Sequence, residues 1–125
     1  TVIDQVKWKN LEIGKEYVVK GTLMDKETKK PVLQDGKEVT AEKNFSATAS
    51  AMNVDVLITA DLSNAVGKKL VVYEYLYQIV DGKEFLISSH EDIHDEKQTI
   101  TIPNSNRVNL ETARFLRLYA ELRSM

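Results

Sequence analysis

Short stretches that alternate between apolar and polar residues recur along the first hundred residues, and turn signals separate them. The strongest runs over residues 69–80 and is rich in valine and tyrosine, which favour strands. Asp81-Gly82 follows it and predicts a hairpin turn into a strand over 84–89. Further strands are predicted over 2–8, 16–24, 44–50 and 54–60. Short strands at this spacing are typical of an all-β sandwich.

Length and composition narrow the function classes. A chain of 125 residues can form one domain with its own core, and a net charge of −2 gives no reason to expect nucleic acid as a partner. No apolar run is long enough for membrane insertion. The absence of cysteine excludes thiol chemistry and disulfides. No nucleotide loop, metal set or hydrolytic triad is visible, so we expect neither a cofactor nor a conventional enzyme.

In three predicted strands, one polar residue interrupts a stripe of apolar residues on one face. These residues are Asp4, Glu74 and Gln98. A buried carboxylate or amide destabilises a core unless it is paired. The three side chains are therefore expected to meet in a polar cluster inside the sandwich. In the strand over 16–24, Gly21 indicates either a β-bulge or a close approach of another group.

The segment over 89–103 concentrates the chain's two histidines. His90 and His94 stand among four carboxylates, just upstream of Gln98. Two histidines in an acidic loop without cysteine are weak evidence for a metal site, so no metal ligand is assigned. His94 is interpreted as a solvated loop residue.

After Pro103 the pattern changes. Asn109 is a good helix N-cap, and the apolar period from Leu110 onward is helical. All four arginines lie in this tail, and every lysine precedes it. We expect a β-sandwich over 1–103 and, over 104–125, a linker with an amphipathic C-terminal α-helix. The helix either packs on its own sandwich or binds a partner through one face, composed of Phe115, Tyr119 and Leu122.

Residues 2–103 resemble a known family. The matching segments are GKEY at 14–17, KGTLMDK at 20–26, DGK at 35–37, VYEYLY at 72–77 and HEDIHDEKQT at 90–99. They resemble the Ig-like repeat domains of Gram-positive surface adhesins that carry an intramolecular Thr–Gln ester bond, also described as VaFE-type repeats. The resemblance implies an Ig-like β-sandwich and an extracellular location at the cell surface.

The resemblance also implies roles for four residues. In that family a threonine hydroxyl attacks the glutamine side-chain amide, and ammonia leaves. Gln98 would be the acyl partner, His90 the general base, and Asp4 and Glu74 the assisting carboxylates. The residue types suit this chemistry, since histidine is the natural base near neutral pH and a protonated carboxyl can donate to the amide oxygen. The reaction is a single turnover within the fold.

One departure from the family concerns the nucleophile. The family's threonine lies on a strand upstream of the strand that here begins at Thr1. The donor strand is therefore expected to be missing, and the chain is expected to carry no internal ester.

Two functions remain open. The first is a structural stalk or spacer module of a cell-wall-anchored adhesin. The second is an engineered split-ligation partner for a Thr-bearing first-strand peptide, or a scaffold whose helix covers the open edge or binds a protein partner or a second copy.

Overall fold

The computed structural model describes residues 2–61, 65, 67–91, 93–94, 99–101, 113–116 and 120–121. No helix among them is long and apolar enough to cross a bilayer. The described residues form twelve β-strands, which are β1 (Val2–Lys9), β2 (Glu16–Asp25), β3 (Lys30–Pro31), β4 (Leu33–Gln34), β5 (Lys37–Glu38), β6 (Thr40–Ser46), β7 (Met52–Ile58), β8 (Lys69–Val80), β9 (Lys83–His90), β10 (Thr99–Thr101), β11 (Ala113–Leu116) and β12 (Ala120–Glu121).

The first sheet is built around β1. Strand β7 pairs antiparallel along one edge of β1, and β11 and β12 pair parallel with it. Because β7 occupies one edge over most of the strand, β11 and β12 share the other. Gln5 is opposite Leu116 and Trp8 is opposite Ala120, so the tail contains one more residue than β1 between these pairs.

The second sheet is built around β2 and β8. These long strands pair antiparallel from Glu16 with Ile79 to Asp25 with Leu70. Strands β3 and β6 pair with the other edge of β2, and β9 and β10 pair with the other edge of β8. A separate hairpin joins β4 to β5.

The core lies between the two sheets. Burial alternates along all eight residues of β1, as a strand with one covered face requires. The prediction of a mainly β fold is confirmed. The largest fully buried apolar side chains of the core come from β1, β2, β7 and β8 and are Trp8, Tyr17, Leu23, Ile58, Leu70 and Leu76.

The predicted C-terminal helix is wrong where the tail is described. Residues 113–116 and 120–121 are extended and pair with β1, so Phe115 lies in a strand opposite Asp4. The second edge of β1 presents backbone N–H and C=O groups that favour a strand partner, and this tertiary pairing overrides the local helical period. Tyr119, Leu122 and the predicted linker lie outside the described residues.

Tyr17 allows a clean stability test of the core. Its side chain is buried, its ring stacks on Phe45 with centroids 5.5 Å apart, and its hydroxyl accepts a hydrogen bond from the Glu12 N–H at 2.9 Å. Tyr17→Phe removes only that acceptor, so we expect the free energy of unfolding to fall by about 0.5–1.5 kcal/mol in urea denaturation. Tyr77→Phe, on the outer face of β8, is the matched control. An equal loss in both variants would contradict this assignment.

Candidate functional site

A row of four residues crosses the inner face of the second sheet. Glu74 on β8 is directly opposite Gly21 on β2 and His90 on β9, and Ala41 on β6 extends the row beyond Gly21. Directly opposed residues in antiparallel strands project from the same face. The side chains of Glu74 and His90 are therefore neighbours, with Glu74 fully buried and His90 half-buried.

The alternation of β8 places Glu74 in the core. Val72 and Leu76 flank it on the same face, and all three are fully buried. The opposite face of the strand is half-exposed and carries Tyr73, Tyr75 and Tyr77. The predicted position of Glu74 on a buried apolar stripe of this strand is confirmed.

Gly21 marks a close approach rather than a bulge. Strand β2 pairs without interruption through this position on both of its edges. A Cβ atom placed on Gly21 would lie 2.7 Å from Oε1 of Glu74. Of the two alternatives that the sequence left open, the contact with another group is the one that the structure contains.

A β-bulge occurs instead in β9, three residues before His90. Ser88 is opposite Leu76, whereas Leu86 is opposite the next residue of β8, so Ile87 is the extra residue. Leu86 and Ser88 consequently point to opposite faces. His90, two residues after the buried Ser88, shares its inward face. The sequence reasoning did not identify Ser88, and a serine in a short strand gives no signal that would have done so.

Asp4 occupies the corresponding face of the first sheet. It is fully buried in β1 between Val2 and Val6, which belong to the core cluster. The structure thus places Asp4 and Glu74 on the inner faces of opposite sheets. Both are buried as the interrupted apolar stripes predicted, while their chemical roles remain predictions.

Gln98 lies outside the described residues, but the strand after it is described. Thr99 begins β10 and is opposite Val71, and Ile100 is opposite Leu70. Strands β9 and β10 follow one another along the same edge of β8. His90 and Thr99 therefore pair with Glu74 and Val71, which are only three residues apart on β8.

The outer face of the second sheet carries a different set of polar contacts. The Lys20 ammonium donates to Glu84 at 2.6 Å and lies 5.0 Å from the centroid of the Tyr77 ring. The hydrogen bond to Glu84 raises the pKa of Lys20. Burial and the hydrogen bond that Tyr75 donates to Glu91 raise the pKa of Tyr75. These partly exposed pairs contribute little to stability and cover the sheet on its solvent side.

The described residues offer no centre for a metal ion. Within those ranges, no group of three or more histidine, aspartate or glutamate side chains is arranged so that it could hold a metal ion. His94 is exposed, in keeping with the loop position predicted for it.

Two facing sheets that bury Asp4 and Glu74 on their inner faces define a β-sandwich module with internal polar groups. Comparison with known protein families identifies the family to which this module belongs. Residues 1–102 match the family model described as "T-Q ester bond containing domain", and the chain belongs to this family. The predicted family relationship is therefore confirmed.

A solved structure supports the fold. The chain is similar to a bacterial adhesin from Mobiluncus mulieris that contains intramolecular disulfide, isopeptide and ester bond cross-links, with a TM-score of 0.51 and 20% sequence identity. The match covers 75% of this chain and 45% of the adhesin chain, so this chain corresponds to less than half of that structure. No curated protein sequence matches the chain.

Proposed function

We propose that the chain is a structural stalk or spacer module of a cell-wall-anchored adhesin, located outside the cell, in which Gln98 is the acyl partner of a Thr–Gln ester cross-link. The observation that carries the proposal is the register of β8. Buried Glu74 stands opposite His90 on the same strand edge that pairs with Thr99, the residue after Gln98. Membership of the family supports the reaction type.

The spacing along β8 supports the assignment of Gln98. Val71 and Glu74, the partners of Thr99 and His90, are three residues apart, which corresponds to about 10 Å along a strand. The intervening segment has to return to the same edge within that distance. We therefore assign the acyl role to Gln98, the residue that directly precedes Thr99 in the sequence.

The chemistry assigns one task to each residue. The threonine Oγ attacks Cδ of Gln98, a C–O bond forms, the C–N bond breaks, and ammonia leaves. His90 accepts the hydroxyl proton and transfers it to the departing nitrogen. Glu74, which is fully buried opposite His90, is assigned the task of stabilising the developing oxyanion. We assign Asp4, on the facing sheet, the second assisting position.

The donor threonine is proposed to come from a further strand. It has to reach the inner face, where Glu74 and His90 lie. Thr22 and Thr99 are instead opposite Tyr73 and Val71, on the outward side of their strands. None of the threonines whose burial the structure describes is buried: Thr22, Thr28, Thr40, Thr48, Thr59 and Thr99.

Intact mass of the denatured protein tests the proposal. We expect the chain alone to have its full sequence mass. Mixing with a peptide that carries the family's Thr-bearing first strand should give an adduct lighter than the sum of the two by one ammonia. Gln98→Ala should abolish the adduct, whereas Gln78→Ala, on β8, should retain it.

Each other outcome overturns one part of the proposal. A chain that is already lighter by one ammonia contains its own nucleophile, which contradicts the external donor. Failure to form the adduct with either a free or a fused donor strand would contradict the assignment of Gln98.

A second candidate function is a split-ligation or scaffold derivative whose tail covers an open sheet edge. The pairing of β11 and β12 with β1 favours it, because the tail occupies the edge that β7 leaves open. Its partner would be a Thr-bearing peptide, or a protein or second copy bound through the tail. Both candidates predict an adduct with the free donor peptide. An adduct that forms only when the donor strand is fused to the chain would contradict the split-ligation form.

A further inference from the structure

The five glycines of the chain fall into two groups. Four of them, Gly14, Gly36, Gly67 and Gly82, have φ between +76° and +87°, and a Cβ atom on any of them would have nothing within 4 Å. At these four positions the backbone conformation itself favours glycine, because residues with an L side chain rarely adopt such φ values. Gly21 has no positive φ. Its backbone conformation therefore does not require glycine, and the reason for glycine must lie in what surrounds it.

What surrounds Gly21 is the carboxyl group of Glu74. An ideal Cβ at position 21 would be 2.7 Å from Oε1, 3.3 Å from Cδ and 3.4 Å from Oε2 of Glu74. The carboxyl group thus occupies the volume that a side chain on Gly21 would fill. The next residue of the row, Ala41, is also small.

The direction of this contact matters for the site. Strand β8 lies between β2 and β9, so a carboxyl group that rests over Gly21 leans toward β2 and away from His90 on β9. The inner face beside His90 is the place where a base needs room for a nucleophile and an amide. Bulk at position 21 would push the carboxyl group back toward that place.

We propose that Gly21 is a positioning residue, which holds the carboxyl group of Glu74 on the β2 side of β8 and leaves the space beside His90 to the reacting groups. This inference rests on the proposed ester chemistry for its functional part. Its structural part, the contact between Gly21 and Glu74, stands independently of any reaction.

The expected result of Gly21→Ala is an intact fold with a displaced carboxyl group. The backbone of residue 21 accepts alanine, and the atoms in the way are the end of a flexible side chain. Misplacement of a reacting group by about 1 Å lowers rates by about 10²-fold, so we expect a loss of that order in the rate of adduct formation with the donor peptide. Thr22→Ala, one residue along β2 on the opposite face, is the control and should keep the rate.

A double-mutant cycle tests the contact by stability alone. Gly21→Ala should lower the urea midpoint when Glu74 is present. In a Glu74→Ala background it should leave the midpoint unchanged or raise it, because the methyl group enters space that the carboxyl has vacated. Gly21→Ala combined with Glu74→Asp, whose shorter side chain withdraws from the clash, should recover part of the lost midpoint.

The outcomes separate the two claims. Coupling in the cycle together with a slower reaction supports the proposal. Coupling with an unchanged rate overturns the positioning role, and equal midpoint shifts in both Glu74 backgrounds overturn the contact itself. If the unsubstituted chain forms no adduct, the proposed ester function fails and the positioning role fails with it, while the cycle still decides whether Gly21 accommodates Glu74.

Discussion

Substituting His90 by alanine is expected to slow ester formation by about 10²–10⁴-fold, the range over which a positioned general base contributes. The threonine hydroxyl is a weak nucleophile until a base accepts its proton. His90 is opposite buried Glu74 and shares its face of the sheet. Because His90 is half-buried at the end of β9, we expect its loss to affect the reaction far more than the fold.

The chain supplies its own control in His94. His94 is exposed in the loop that follows β9 and is the only other histidine. The rate is measured as the growth of the adduct mass after mixing with the donor peptide. His94→Ala should react at the unsubstituted rate, and added imidazole should partly restore His90→Ala. Equal rates for the two alanine variants would remove His90 from the mechanism.

The burial of the two carboxylates was predictable because strand alternation has a fixed period of two. Asp4 and Glu74 interrupt apolar stripes in the sequence, and both are fully buried in the structure. This inference needs no knowledge of which strands pair. It needs only that one face of each strand is covered.

The inward direction of His90 was not predictable from alternation. Counting by twos from exposed Glu84 puts His90 on the same face as Glu84 and Leu86. The β-bulge at Ile87 reverses that parity, so Ser88 and His90 face the core while Glu84 reaches Lys20 on the outer side. A bulge depends on the pairing of two strands, and periodicity within one strand does not reveal it.

The C-terminal tail is a second case in which periodicity within one segment did not predict the structure. Its apolar spacing has a helical period, and Asn109 is a suitable N-cap. Yet Ala113–Leu116 pairs with β1 in parallel. Local propensity is a weak preference, and an unpaired strand edge offers backbone hydrogen bonds that outweigh it. The sequence analysis expected an open edge covered by the tail, but the period of the tail carries no information about the backbone groups that this edge offers in three dimensions, so it predicted a helix there.

Trp8→Ala is expected to lower the free energy of unfolding by about 3–5 kcal/mol, a large part of the roughly 5–15 kcal/mol that stabilises a typical domain. Trp8 is fully buried on the inner face of β1 and is among the largest such side chains. Its removal leaves a cavity that the β1 backbone, paired on both edges at this position, is poorly placed to fill. Denaturation in urea, with the midpoint and slope compared, measures the loss.

Trp8→Phe distinguishes the contribution of the apolar ring of Trp8 to stability from that of its Nε1–H group. Among the described residues, the buried Nε1 of Trp8 has no hydrogen-bond acceptor, so phenylalanine keeps most of the apolar ring and removes a donor that contributes little. We expect Trp8→Phe to lose well under half of what Trp8→Ala loses. Similar losses would instead show that Nε1 contributes through a partner.

The same pair of variants connects core packing to the proposed cross-link. With the donor strand fused to the chain, the ester would close a long loop, and such a link stabilises mainly by restricting the unfolded chain, by about 2–4 kcal/mol for disulfides. Trp8 acts on the folded core, so the loss in Trp8→Ala should be equal before and after adduct formation, from a higher starting stability after it. A smaller loss in the adduct would mean that the donor strand repacks the core around Trp8, and the link would then act on the folded state as well.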